Sequence, residues 1–136
     1  MTLYGLKREE LPALWTEFWA MLVRANEADP AVQIEEVATY NALNNGAVVG
    51  FYTLDDGRIN MAMTVEVRLT YRGKEAEVTA LAGVDMEKWL KLIDSLAAWS
   101  KSIGCEYLLA TGRSGWERML RDKGFRKVAI TVEKVL

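Results

Sequence analysis

The residue types that the chain lacks restrict the chemistry it can perform. Its 136 residues include no histidine and one cysteine, Cys105. A Ser-His-Asp triad, a Cys-His pair and a His-ligated zinc site are therefore excluded, as are an internal disulfide and a CxxC metal knuckle. We expect no bound metal. Because the sequence offers no identifiable base to activate its thiol, Cys105 is predicted to be buried and inert.

Three glutamates are candidate general bases in the absence of histidine, and a chain of water molecules is a further candidate. Glu66, Glu75 and Glu77 all fall in a segment with strand periodicity. Their spacing does not select one of them for proton transfer. We therefore interpret the three carboxylates as part of a solvated strand face.

Cationic side chains are concentrated in the last quarter of the chain. They are compatible with a site for phosphate or an acidic partner, and equally with a solvated helix whose C-terminal turn they stabilise. Arg113 is singled out because the sequence places it between a strand and a glycine-flanked turn, where binding or catalytic side chains are often positioned. The predicted interaction residues are Arg113, Trp116 and Arg118.

Two helices are predicted in the first third of the chain. Apolar residues from Leu11 to Leu22 recur at the i, i+3, i+4 spacing of a core-facing helix, and Pro12 fits its first turn. A second helix is predicted to begin at Asp29-Pro30, with Asp29 as N-cap, and to end at Asn44-Asn45-Gly46. The side chains predicted to face inward from it are Ile34, Val37 and Asn41.

Strand periodicity follows, and it completes the predicted order of elements. Residues 47–82 alternate between apolar and polar side chains around two turn signals, which predicts an antiparallel meander. The elements predicted beyond it are a helix over 85–103, a strand over 106–111, a helix over 114–123 and an alternating strand over 127–135. Residues 1–136 thus form one domain of order β-α-α-β-β-β-α-β-α-β, an α/β (α+β) fold with a mixed sheet.

This order resembles that of GNAT (Gcn5-related N-acetyltransferase) domains. The stretch from Gly112 to Leu120, running into Gly124-Phe125, is similar to the second half of a GNAT domain, where a strand, a short helix and Gly-Phe precede the last strand. Its sequence motif, Gly-Arg-x-Gly-Trp-x-Arg, is most similar to that of small GNAT-like proteins of tailed bacteriophages. The order of secondary-structure elements matches that of GNAT domains over nearly the whole chain, whereas the motif match covers about the last quarter. The resemblance implies a GNAT-like fold, with acetyl-CoA as cofactor and N-acyl transfer as activity.

The chain departs from the GNAT pattern where the cofactor's diphosphate binds. The family has a Gln/Arg-x-x-Gly-x-Gly/Ala loop there, whose backbone N–H groups close on the diphosphate. Here the loop keeps one glycine, and the resemblance makes Ala82, Gly83 and Val84 the candidate cofactor-binding residues. We predict that Asp85 caps the following helix and that Glu87 complements its dipole. Such a helix start would be occupied by its own side chains and would repel a diphosphate.

The second departure concerns proton donation. The family often has a tyrosine four residues before the glycine of Gly-Phe, and here that position is Leu120. The favoured interpretation is a phage-encoded GNAT-like domain with eroded acyl-CoA motifs and no cofactor, acting as a binding or virion-associated structural component. The alternative is an active N-acetyltransferase that uses acetyl-CoA with a variant phosphate loop.

Partners and location are predicted from charge and aromatic content. The tryptophan-rich first helix is interpreted mainly as core, but five tryptophans also suit a protein partner or a homo-oligomer. The net charge of −2 predicts neither nucleic-acid nor membrane binding. The free cysteine and the lack of an export signal predict a cytoplasmic location, in the host cytoplasm or in a virion.

Overall fold

The computed structural model of the chain describes residues 1–112 and 115–136, without the side chain of Met86. The predicted residues Arg113 and Ser114 lie outside this range. Five strands are described: β1 (Tyr4–Leu6), β2 (Val49–Asp55), β3 (Arg58–Thr70), β4 (Gly73–Gly83) and β5 (Tyr107–Ala110). The helices are α1 (Leu11–Leu22), α2 (Arg24–Ala28), α3 (Glu36–Asn44), α4 (Leu90–Ser102) and α5 (Gly115–Arg121), with 3₁₀ turns at Arg8–Glu10 and Met86–Trp89.

The five strands form one mixed sheet in the order β1-β2-β3-β4-β5. Strands β1 to β4 are antiparallel, and β5 is parallel to β4. The predicted meander is confirmed, including the tight turn at Asp56 and Gly57, whose φ angles of 52° and 75° are those that a hairpin turn of this type needs. The mixed α/β class is confirmed with it.

Helices cover both faces of the sheet. One core joins α1, α2 and α3 to the first face, with Phe18 and Leu22 of α1 fully buried. A second core joins α4 to the other face and includes Leu96 and Cys105. The predicted core role of the first helix is therefore confirmed, as is the burial of the cysteine. None of the helices in the described residues has the length and apolar character that crossing a membrane requires.

A bulge in β4 changes which face its side chains reach. Thr64 of β3 pairs with Ala80 and the next residue, Val65, pairs with Val78, so Thr79 has no partner in the ladder. Before the bulge, Val78 packs in the core beneath α4, whereas Ala80 after it packs in the core beneath α1. An extra residue reverses the alternation of a strand, and this reversal determines what the end of β4 presents.

The predicted start of the second helix is wrong. Asp29 ends α2, and its carboxylate accepts the Ala31 N–H at 2.9 Å, which is a turn. Helix α3 begins later because Glu35 caps it, accepting from two N–H groups at 3.1 and 2.7 Å. The change of start also corrects the inward face: Val37 is 63% exposed and Asn41 is exposed, and the buried residues of α3 are Thr39 and Leu43.

The final strand of the predicted order is not formed. Residues 125–136 have no secondary structure, and residues 126–136 are exposed throughout. A stable strand needs both alternating side chains and the backbone of a neighbouring strand to pair with. Residues 127–135 supply the alternation alone. The structure thus follows the predicted order from β1 to α5 apart from the short additional helix α2, and the predicted order is wrong beyond α5.

The buried hydroxyl of Tyr52 lies beside a carboxylate. It donates to Oε2 of Glu10 at 3.4 Å, and the Tyr52 residue is 6% exposed. Burial and the charge of Glu10 together raise the pKa of Tyr52 above its ordinary value of 10.0. The neutral phenol is therefore favoured by folding.

A raised pKa makes stability depend on pH. The contribution of Tyr52 is present below pH 10.0 and is lost as the pH rises through the higher pKa of the folded state. We expect the free energy of unfolding of the wild type to fall more steeply above pH 10.0 than that of Tyr52→Phe, measured by urea unfolding at a series of pH values. Below pH 9 the variant should lose at most ~1 kcal/mol. Parallel curves for the two proteins would contradict this.

Candidate functional site

The clearest opening in the sheet is the divergence of β4 and β5. Their ladder runs from the pair Glu75–Tyr107 to the pair Val78–Ala110, and the Thr111 N–H still reaches the Val78 carbonyl at 3.3 Å. Strand β4 continues to Gly83, and among the described residues it has no pairing with β5 beyond Val78. The divergence begins at the Thr79 bulge. The edge of β4 that faces away from β3 is therefore open over the last part of the strand.

A cavity of about 380 Å³ lies beside this open edge. Its walls come from α2 and the turn after it, from the end of β4, and from the residues that follow β5. Three charged residues line it, namely Arg24, Glu27 and Asp29, together with Ala82, Gly83, Thr111 and Trp116. Two carboxylates and one guanidinium give this lining a net negative charge, which suits a cationic ligand.

A smaller apolar space of about 40 Å³ lies on the α4 side of the same gap. It is enclosed by β3, β4, α4 and α5, and its lining is almost entirely nonpolar. Leu81 and Trp116 line both this space and the larger cavity. The two spaces therefore adjoin at these two side chains, where β5 has separated from β4.

Trp89, which lines the apolar space, has a buried hydrogen-bond donor without a partner. The residue is 4% exposed, and its Nε1 has no hydrogen-bond partner in the described chain. A buried donor without a partner costs about 1–3 kcal/mol.

The predicted cap at Asp85 is wrong. Asp85 has left-handed backbone angles (φ 58°, ψ 67°) rather than the extended backbone of a capping residue, and its side chain makes no cap hydrogen bond. Its carboxylate instead lies 3.5 Å from Nζ of Lys88, in an exposed ion pair. Trp89, the residue before α4, makes no side-chain cap either. The expectation that Asp85 caps this helix start does not hold, whereas Glu87 lies in the first turn, as predicted.

The three candidate cofactor residues have different surroundings. Ala82 is buried beneath α1 and, with Gly83, lines the cavity. The backbone N–H of Val84 donates to the Asn60 carbonyl at 3.0 Å and so already has a partner. A Cβ on Gly83 would overlap the Trp89 ring and lie 2.6 Å from the Asn60 oxygen. Gly83 is thus needed to seat Trp89, a role that the phosphate-loop interpretation did not include.

Two of the three predicted interaction residues, Trp116 and Arg118, lie on α5. Trp116 is half-buried and lines the gap between the strands, with its ring against Gly112, where a Cβ would lie 2.7 Å from it. Arg118 is exposed on the same helix, and Arg113 is outside the described residues. Leu120 is buried and lines the apolar space, so this position offers no hydroxyl there.

The glutamates of the meander belong to an ion-pair network, and their description as a solvated face is wrong for Glu75, which is 6% exposed. Arg68 donates to Glu75 at 2.9 Å and to Glu77, and Glu66 lies 3.7 Å from it. The hydrogen bond to Glu77 is the main reason why the pKa of Arg68 is raised. Glu77 also accepts from the Thr111 hydroxyl, which ties β4 to the end of β5.

Sequence reasoning missed the charged residues of α2 and the turn after it. Arg24 and Glu27 received no prediction, and Asp29 was predicted as an N-cap, because an Asp-Pro pair is as typical of a helix start as of a turn. The available signal was three charged residues within six positions, immediately after an apolar helix.

The geometry has counterparts among known structures. No protein-family model matches the sequence, and no curated protein is detectably similar to it. An aminoglycoside acetyltransferase from an uncultured soil sample, solved with sisomicin, superposes with a TM-score of 0.71 at 16% identity, over 99% of this chain and 95% of that one. A predicted acetyltransferase of Clostridium acetobutylicum, solved with acetyl-CoA, gives 0.67 at 11% identity, over 98% and 95%.

A third structure, the aminoglycoside N-acetyltransferase AAC(6')-Iy in complex with CoA, gives a TM-score of 0.70 at 10% identity, over 99% of this chain and 93% of that one. At such identities the likeness establishes the fold alone. The chain therefore has a GNAT-like fold.

The contact between Gly83 and Trp89 can be tested by adding one methyl group. We expect Gly83→Ala to lower the free energy of unfolding by about 1–3 kcal/mol, because the Asn60 backbone or a buried indole must move. Gly5→Ala is the matched control, since a Cβ there meets nothing within 4 Å. Chemical unfolding of both variants measures the difference, and equal stabilities would show that Gly83 does not seat the ring.

Proposed function

We propose that the chain binds acetyl-CoA in the gap between β4 and β5 and transfers the acetyl group to an amine of a small cationic acceptor. The observation that carries the proposal is the divergence of the two strands after Val78, beside which an apolar space and a charged cavity lie next to each other. The overall fold agrees with it, because the similar structures are acetyltransferases, two of which were solved with acetyl-CoA or CoA.

The residues beside the gap suit the pantetheine arm of the cofactor. Such an arm is thin and carries amide groups, and the open edge of β4 has backbone donors and acceptors of the kind that pair with amides. Nε1 of Trp89 is a further donor, buried and without a partner. Acetyl-CoA, when bound, supplies an acyl thioester that an amine can attack. The left-handed backbone at Asp85 leaves the helix start without a side-chain cap, so its backbone N–H groups are not taken by a capping carboxylate. Asp85 and Glu87 still place negative charge beside them, which opposes a diphosphate at this point.

The larger cavity suits the acceptor. Glu27 and Asp29 attract an ammonium group, and Trp116 offers an aromatic face to the same cation. An ammonium must lose a proton before it can attack a thioester, and in a chain without histidine these carboxylates, directly or through water, are the nearby acceptors. Arg24 on the same wall can hold a hydroxyl or an anionic group of the acceptor.

A non-catalytic role, as a binding or virion-associated component of phage origin, is the competing proposal. Leu120 favours it, because a leucine cannot protonate the departing thiolate. The two proposals differ in a simple measurement, since a chain with eroded acyl-CoA sites has no reason to bind CoA. Binding of CoA without acetylation of any amine would support a binding protein that retains the cofactor site.

Binding of CoA is tested by a thermal-shift titration. At a hundredfold excess over Kd the ligand should stabilise the folded protein by ~2.7 kcal/mol. Leu81→Trp should abolish this shift, because Leu81 lines both spaces at the strand gap. Leu69→Trp adds the same ring at a position that is 84% exposed on β3 and should keep the full shift. No shift of the wild type at millimolar CoA would refute the proposal.

The acceptor site is tested by acetyl transfer to a panel of cationic amines, including aminoglycosides such as sisomicin. We expect Glu27→Gln to raise the KM of the amine about fivefold, the effect of losing one exposed charge interaction of ~1 kcal/mol. The CoA thermal shift should stay unchanged. Glu9→Gln removes the same charge from an exposed position outside the cavity and serves as the control. An equal KM in the two variants would remove Glu27 from the acceptor site.

A further inference from the structure

One wall of the larger cavity, formed by α2 and the turn after it, carries three charged groups that do not pair with one another. Arg24 and Glu27 are three positions apart on α2, a spacing at which side chains can meet on one face of a helix. Neither of them, nor Asp29, takes part in any ion pair of the described chain. Within the described residues, the Arg24 side chain donates only to Sδ of Met21, at 3.4 Å. A guanidinium and two carboxylates therefore line one cavity without charged partners.

Asp29 differs from the other two charged residues because it is buried. It is 8% exposed, whereas Arg24 and Glu27 are exposed. Its Oδ1 accepts the Ala31 N–H at 2.9 Å, and its Oδ2 has no hydrogen bond to the described residues. Aspartates are rarely buried to this degree without a cationic partner. A cation inside the cavity that Asp29 lines would be that partner.

The turn that carries Asp29 is held firmly by the residues around it. The side-chain amide of Asn26 exchanges two hydrogen bonds with the backbone of Ile34, both of 2.8 Å. Ala25 and Val32, on either side of Asp29, are buried in the core beneath α1 and line the same cavity. A charged group on a wall that is already ordered loses little freedom when it takes a ligand.

We propose that the cavity binds a free diamino acid, whose carboxylate is held by Arg24 and whose two ammonium groups are held by Asp29 and Glu27. The lining has two negative charges and one positive charge, and a diamino acid has the opposite set. Complementary charges of this kind select a ligand by the sign and the position of its groups. The cavity volume of about 380 Å³ is in the range of small-molecule sites. The inference rests on the proposed function, because it names the acceptor of that same site.

Acetyl transfer to a diamino acid needs no reactant other than acetyl-CoA. One ammonium group gives a proton to a carboxylate of the wall or to water, and its nitrogen then bonds to the acetyl carbon. The C–S bond breaks, and the second proton that the nitrogen loses passes to the departing sulfur, directly or through water. The products are the N-acetylated amino acid, CoA and one proton.

Arg24 separates a diamino acid from a polyamine as the acceptor. An aminoglycoside has several ammonium groups and no carboxylate, so Arg24 repels its charges and gains no partner from it. The structure solved with sisomicin shares 16% of its sequence with this chain, an identity that establishes the fold alone. The acceptor is therefore inferred from the charges of this cavity.

Binding of free lysine, compared with cadaverine, tests the inference apart from catalysis. Cadaverine is lysine without the carboxylate, so the two probes differ only in the group assigned to Arg24. Calorimetric titration, with and without CoA, should give lysine a Kd about fivefold below that of cadaverine, the effect of one exposed charge interaction. Arg24→Gln should remove this difference. Arg58→Gln should keep it, because Arg58 is exposed and lies outside the cavity lining.

Asp29→Asn tests the ammonium side of the site. Asparagine keeps an Oδ1 that can accept the Ala31 N–H, so the turn and the circular dichroism should be preserved. The Kd values of lysine and cadaverine should both rise about tenfold, because a hydrogen bond to a charged, nearly buried group is lost. The ratio of the two Kd values should stay as in the wild type, since Arg24 is unchanged.

The outcomes separate the acceptor from the rest of the proposed function. Equal affinities of the wild type for lysine and cadaverine would overturn the inference, as would sisomicin binding where lysine does not bind. If neither lysine nor cadaverine binds, the inference is also overturned, and the thermal-shift titration with CoA decides independently whether the cofactor site exists. Lysine that binds as expected but is not acetylated would support the diamino-acid site and refute the transfer step.

Discussion

The structure depends on one local constraint, the extra residue that Thr79 inserts into β4. A strand that gains one residue must present its following side chains to the opposite face, and its backbone turns with them. Val78 therefore belongs to the core beneath α4 and Ala80 to the core beneath α1. The same change of direction ends the pairing with β5. Both cores, the open edge and the cavity follow from this position.

Polar contacts hold the paired end of the two strands while the other end separates. Arg68 of β3 joins Glu75 and Glu77 of β4, and the Thr111 hydroxyl after β5 donates to Glu77. Arg72 adds an ion pair to Glu75 at 3.3 Å and lies over the Tyr107 ring of β5 at 3.7 Å. Partly buried networks of this kind resist separation more than an isolated surface pair does. The gap can therefore open at one end without loosening the whole edge of the sheet.

Elements with strong periodicity could be predicted from the sequence, because a single buried face dictates their spacing. The meander, α1 and α4 belong to this group. The start of α3 could not, since Asp29 and Pro30 are equally good turn and cap residues and only the position of Glu35 decides between them. The Thr79 bulge depends on the register between two strands, which no pattern within one strand contains. Residues 127–135 were predicted as a strand because alternation is visible in the sequence and the location of a partner strand is not.

Only part of the candidate site could be predicted from the sequence, for the same reason. Gly83 could be selected from its resemblance to a phosphate loop, but its contact with the Trp89 ring depends on the tertiary fold. Asp85 has the residue type of a cap, and its left-handed backbone cancels that role. The carboxylates of the cavity stand about fifty residues before the strand that they face, too far apart for spacing to relate them.

Two aromatic rings seated on two glycines border the gap, Trp89 on Gly83 at the β4 side and Trp116 on Gly112 at the β5 side. In each pair the indole ring occupies the space that a side chain on the glycine would need. During evolution a side chain could be gained at either glycine only if the tryptophan facing it became smaller, so each pair should covary among relatives. The width of the gap beside β4 would then be inherited as paired substitutions.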